Sequence, residues 1–164
     1  MELFSIGHSN ADINAFIDLL RRYEIAALAD ARSQPYSRYN QHFSRESLKH
    51  SLEEAGIEYF YLGKEIGGRP EDPAFYIQNG KVDYDLVAQS SIYLTGIERL
   101  LALASDRRVA FMCAEADYKS CHRYWLITRT LTLRGVEVRH ILHSGDAVAS
   151  GASEFEPAQP SLFA

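Results

Sequence analysis

Apolar positions along the chain fall alternately into short runs and helical stripes. Leu3 to Ile6 is a short apolar run ending at Gly7, and within Ala11 to Arg22 the residues Ile13, Phe16, Ile17 and Leu20 recur at helical spacing. A strand followed by a helix is predicted, with Ser9 or Asn10 capping the helix through a short polar side chain. Ile25 to Ala29 is a second buried run, and Gln34 to Phe43, with Pro35 and its tyrosines, reads as an irregular loop. Leu48 and Leu52 share one face of a helix predicted from Arg45 to Ala55 and closed by Gly56.

Ile57 to Leu62 reads as a third strand, followed by a glycine-rich connection holding Gly63, Gly67, Gly68, Arg69 and Pro70. Tyr84 to Leu103 returns to helical spacing, with a break at Gly96. Val109 to Cys113 is a fourth strand, Cys121 to Leu133 a helix closed by Gly135, and Val136 to Leu142 a fifth strand. The alternation predicts an α/β fold: a single domain over residues 1–143, with a mostly parallel sheet of about five strands flanked by helices in Rossmann-like or partial-barrel order. From Ser144 the composition turns to Gly, Ala, Ser, Glu and Pro, which predicts a mobile tail over residues 144–164.

Composition narrows the function classes. A length of 164 residues suits one domain with its own core, and 46% apolar with 24% charged residues excludes a disordered or fibrous chain. Seventeen Lys and Arg against 22 Asp and Glu leave a net charge of -5, which excludes coating of nucleic acid by bulk electrostatics; any such contact must use a local patch. No secretory apolar region precedes Gly7, and no run approaches the roughly 20 apolar residues that cross a bilayer. With only Cys113 and Cys121 present, a reducing cytoplasm, thiols that are free unless they serve chemistry, and no membrane partner are expected.

In parallel sheets ligands bind beyond the carboxyl ends of the strands, where successive loops converge. That rule collects His8 and Ser9 after the first strand, Asp30 and Arg32 after the second, the Gly67 to Arg69 loop after the third, and Glu115, Cys121, His122 and Arg123 after the fourth. His8, Asp30, Glu115 and Cys121 are the candidate catalytic groups, and Ser9, Arg32, Arg69 and Arg123 the candidate anion holders. Each has a plainer reading: His8 as a hydrogen-bonded structural residue, Asp30 and Arg32 as ion-pair or capping groups that need not pair with each other, and Cys113 as core packing. Cys121 is expected in the first turn of a helix, where free amides and Arg123 favour a thiolate; alternatively Ser120 caps that helix and Cys121 packs beneath it. Cys113, Cys121, His122 and His8 could be drawn as zinc ligands, but their spacing departs from the tight ligand pairs of structural sites, so no metal is expected. The sequence specifies no cofactor.

From Arg32 to Lys49 three arginines and one lysine face the single acid Glu46. Tyr36, Arg38 and Tyr39 lie in this one basic patch, an arrangement suited to phosphates and unstacked bases, or else a solvated loop whose tyrosines cover the core edge. At the end of the chain, Gln159, Leu162 and Phe163 are similar in spacing to the peptide with which bacterial polymerases and repair proteins dock on the DNA sliding clamp.

Taken together, the Ile6-Gly7-His8-Ser9 start, Asp30-Ala31-Arg32 with Pro35 and Ser37, Tyr61-Leu62-Gly63 with Gly67-Gly68, and Cys113-Ala114-Glu115 with Cys121-His122-Arg123 resemble the prokaryotic family catalogued as domain of unknown function 488. That family frequently carries Val where this chain has Ala31. The resemblance implies an α/β domain with a shared polar cleft and brings no reaction with it. Three functions are consistent with these residues. The first is a nucleic-acid-maintenance enzyme, for DNA repair or processing, recruited by the clamp-like terminus. The second is a thiol-dependent or phosphoryl-handling enzyme on a small anionic metabolite with Cys121 as nucleophile. The third is a nucleotide-binding adaptor without chemistry.

Overall fold

The computed structural model describes residues 1–156. Six strands form one sheet: β1 (Glu2–Gly7), β2 (Ala27–Asp30), β3 (Glu58–Tyr61), β4 (Val109–Cys113), β5 (Glu137–Ile141) and β6 (Ala147–Ser150). Their order is β3-β2-β4-β1-β5-β6, parallel throughout except for β6, which runs antiparallel to β5. The sheet is therefore open, and the partial-barrel alternative falls away. Every residue of β2 and β4 is buried, which explains why these strands read as unbroken apolar runs: helices cover both faces.

The two-residue period of the strands sends alternate side chains into two separate cores. Phe4, Leu28 and Met112 face α1 (Ile13–Arg22) and α2 (Arg45–Glu54), meeting Phe16, Leu20, Leu48 and Leu52. Leu3, Ala29 and Phe111 face the opposite layer, where α5 (Ser91–Ala104) contributes Ile97 and Leu100. A π-helical segment (Arg123–Thr128) and its continuation Arg129–Leu133 add Ile127 and Leu131 to that second layer.

Connectivity opens the cleft. The chain leaves β1 and β2 toward α1 and α2 on one face but leaves β4 toward the π-helical segment on the other. Since β4 lies between β1 and β2 while its chain crosses to the opposite face, a crevice forms at this carboxyl edge.

Several local expectations are corrected. Asp12 caps α1, accepting from the Asn14 and Ala15 amides, rather than Ser9 or Asn10. The long helical stripe breaks at Ser90, not Gly96: α4 (Tyr84–Gln89) ends where Ser90 turns extended, and the Ser90 hydroxyl accepts from the Tyr93 amide to start α5. Gly96 lies inside α5 where the short helix α3 (Gly63–Ile66) crosses it, and a Cβ there would stand 2.5 Å from that of Glu65. Order also continues past Ser144. Ala147–Ser150 pair with β5 because the buried His140 on β5 hydrogen-bonds the Ser150 hydroxyl at 3.0 Å. Among the described residues, no helix is long and apolar enough to cross a membrane.

Candidate functional site

The crevice at the carboxyl ends of β1, β2 and β4 is a cavity of about 380 Å³. His8, Arg32, Arg69, Glu115 and Cys121 line it, so five residues spread over more than a hundred positions share one rim. β1 and β4 stay in register beyond their last residues: the His8 amide donates to Cys113 O at 3.0 Å and the Ser9 amide to Ala114 O at 2.8 Å. A larger neighbouring cavity of about 720 Å³ shares Ser33 and Arg69 with it, but it is lined mainly by the α3 and Pro70–Phe75 segments and holds neither cysteine nor His8.

One wall is built on Arg32. Its Nε and Nη2 donate to the two carboxylate oxygens of the fully buried Asp30 at 2.9 and 2.8 Å, and its Nη1 lies 3.3 Å from His8 Nε2. The expectation that Asp30 and Arg32 need not pair is corrected, because residues two apart on an extended chain point to the same side. Tyr59 donates to the same carboxylate at 2.6 Å, and burial together with that carboxylate pushes the Tyr59 hydroxyl far up. His8 Nδ1 donates to Ser9 O at 2.8 Å, which leaves Nε2 as the acceptor of the Arg32 proton. Burial holds the His8 ring down to about 4, so the imidazole is neutral, stacked 4.5 Å from the Phe43 ring. Of five guanidinium protons three are thus engaged among the described residues, and Arg32 lines the cleft with two to spare.

The opposite wall carries both thiols. Cys113 closes β4 and is buried, whereas Cys121 is half-buried and follows a turn at Tyr118–Ser120. Their Sγ atoms lie 2.9 Å apart. The hydrogen bond from Cys113, with the Arg123 guanidinium beside it, draws the Cys121 thiol down to about 7, against the opposing effect of burial. The same contact and burial push Cys113 well up. Cys121 is extended and precedes the helix, and Ser120 donates to Asp117 O instead of capping. The thiol is therefore drawn down by Cys113 first and then by Arg123, through its charge, its side chain and its backbone amide, from a position just before the helix and not within its first turn.

Arg123 is 1% exposed. Its Nη2 donates to Glu115 O at 3.0 Å and Ala116 O at 3.3 Å, while its Nε has no partner among the described residues. It fastens the loop after β4 from below and does not itself line the cleft. His122 Nε2 lies 3.1 Å from Ala31 O, and burial holds its ring down to about 4. Gly68 passes so close that a Cβ would stand 2.7 Å from that ring, and Ser33 Oγ accepts from the Arg69 amide at 2.9 Å. These contacts explain the glycines of the connection: the chain presses against β2 and β4 loops where side chains have no room.

Other predicted residues disperse. Tyr36 lines the cleft and is 65% exposed, but Arg38 and Tyr39 do not line it; the Arg38 guanidinium lies over the exposed Tyr39 ring. Ser9 stands outside the lining with φ 47°, its amide and carbonyl engaged by Ala114 and His8. Gln159, Leu162 and Phe163 lie outside the described residues. Among the described residues no three His, Cys, Asp or Glu side chains gather into a metal-binding group. Two features escaped the sequence reading. Tyr84 lines the cleft from α4 with its hydroxyl pushed up by burial. Tyr118 stacks 3.9 Å from the His140 ring, whose nitrogens meet Ser5 and Ser150, anchoring the cysteine loop to β5. A histidine inside a strand with small hydroxyl residues on its neighbours was the available signal.

Residues 12–130 match the model of a family described as domain of unknown function DUF488, a span from just after His8 through the cysteine loop into the helix beyond it. Neither a curated protein nor a solved structure matches the chain.

Proposed function

The chain belongs to the DUF488 family, and we propose that it is a thiol-dependent enzyme acting on a small anionic substrate, with Cys121 as nucleophile. The observation that carries this reading is a cleft-lining thiol whose Sγ lies 2.9 Å from that of Cys113, a contact that together with Arg123 draws it below the ordinary thiol range and favours the thiolate. The two free Arg32 protons and the exposed Arg69 supply donors for the anion on the same rim. His8 and Asp30 act in this arrangement as positioning residues for Arg32, since both His8 nitrogens and both Asp30 oxygens are already engaged.

Competing alkylation tests it. Relative to free cysteine, Cys121 should favour iodoacetate over iodoacetamide, and Arg69→Ala should erode that preference without changing the thermal midpoint. Equal preference in wild type and free cysteine would overturn the anion site, and absence of fast alkylation at neutral pH the nucleophile.

A second reading, a nucleic-acid-maintenance enzyme brought to the sliding clamp by Gln159, Leu162 and Phe163, is favoured by the exposed Tyr36 on the rim and by Arg38 over Tyr39, 5.8 Å from its centroid. Fluorescence anisotropy with a labelled single strand should show binding that Tyr36→Ala and Tyr39→Ala weaken. No binding by wild type at low salt would dispose of it.

A further inference from the structure

We infer that Cys113 is the resolving partner of Cys121, and that the two thiols form a dithiol–disulfide couple that reduces a small anionic disulfide. The inference rests on Cys121 being a nucleophile and adds its substrate class and its second sulfur. Three features of the geometry point to it. The sulfurs stand 2.9 Å apart, against about 2.05 Å in a disulfide, so closure needs a shift of only about 1 Å. Each sulfur meets a carbonyl only at a long 3.9 Å, Cys113 that of Glu115 and Cys121 that of Tyr118, while the Arg123 amide and guanidinium beside Cys121 are donors suited to its thiolate. The loop between them, Ala114 to Ser120, is largely exposed and doubles back so that its two ends bring the sulfurs together.

The two cysteines also divide the labour by burial. Cys113 is 1% exposed, so an incoming substrate meets Cys121 first and Cys113 can react only with what Cys121 has captured. The buried Arg123, whose Nε has no partner among the described residues, places a positive charge near both sulfurs and favours whichever of them is anionic. Arg32 and Arg69 on the facing rim match a carboxylate on the substrate.

The steps balance. The Cys121 thiolate attacks one substrate sulfur, the substrate S–S bond breaks, and the departing thiolate takes a proton from water. Cys113 then gives up its proton and attacks Cys121 Sγ; the mixed disulfide breaks, and the second substrate thiolate takes that proton. One disulfide has become two thiols, and two electrons have left the cysteine pair as the Cys113–Cys121 disulfide. An external dithiol reductant returns them.

The full chain with glutathione disulfide as probe tests the couple, read by acid quench and intact mass. Wild type should release both glutathione halves and lose two hydrogens without retaining an adduct. Cys113→Ser should hold one glutathione on Cys121, and Cys121→Ser should hold none. Retention of the adduct by wild type for as long as by Cys113→Ser would overturn the resolving role, as would failure of glutathione disulfide to react with a Cys121 that alkylates readily. A Cys121 that is slow toward iodoacetamide as well would instead remove the nucleophile on which the couple rests. Should Cys113→Ser fail to fold, the wild-type release of two thiols per chain decides alone.

Discussion

Gly7 faces the backbone carbonyl of Glu115 at a range that admits no side chain: a Cβ on Gly7 would lie 1.6 Å from the oxygen. The same oxygen accepts from Arg123 Nη2, so this contact sets how β1 meets the loop that carries the thiols. Gly7→Ala must therefore push backbone against backbone, at a cost of about 3 kcal/mol or more. Urea unfolding measures it, and an unmoved midpoint would refute the contact.

Asp30→Asn should destabilise far more than its size suggests. It leaves the 5% exposed Arg32 without a counter-charge, a loss of about 3–5 kcal/mol for a broken buried pair. Tyr59→Phe, which removes one hydrogen bond to the same carboxylate, should cost about 1 kcal/mol. Denaturation of the two variants side by side gives the ratio, and equal losses would mean that the ion pair is not the stabilising element.

The alkylation rate of Cys121 should rise with pH through a midpoint of about 7. Because the hydrogen bond from Cys113 is the largest cause of that low value, Cys113→Ala should shift the midpoint upward. A midpoint that stays in place would assign the thiolate to Arg123 alone.

Acid should unfold the protein through its histidines. Burial holds His8 and His122 down to about 4 and His140 down to about 3, against about 6.5 in an unfolded chain. Between these values the unfolded chain binds more protons, so stability is fully present above pH of about 6.5 and falls as pH drops toward 4 and then 3. The urea midpoint followed over that window should show a steep slope, which His140→Asn should make shallower if the variant folds. A flat profile between pH 6 and 4 would contradict buried neutral imidazoles.

Much of the fold was legible because strands covered on both faces must be apolar throughout, as Val109 to Cys113 is. β6 was not, since Ala147 to Ser150 carries one large apolar side chain and joins the sheet through His140 and Ser150. Topology made the rim legible: His8, Arg32, Glu115 and Cys121 meet because their strands are neighbours. The pairing of Cys113 with Cys121 was hidden, because it depends on how the intervening loop doubles back at Tyr118–Ser120, and spacing alone suggested packing or a poor metal site. Arg123 was placed in the cleft by its charge, whereas the carbonyls of Glu115 and Ala116 draw it beneath the loop.

The antiparallel β6 has a bearing on how this chain behaves among its own copies. Among the described residues the sheet is bordered by two four-residue strands, β3 and β6, while the longer β1, β4 and β5 lie inside. Short borders are poor templates for recruiting a neighbour's backbone. A protein cut at Ser144, where composition invites the cut, would bare the five-residue β5 along its length and exchange a closed border for an adhesive one.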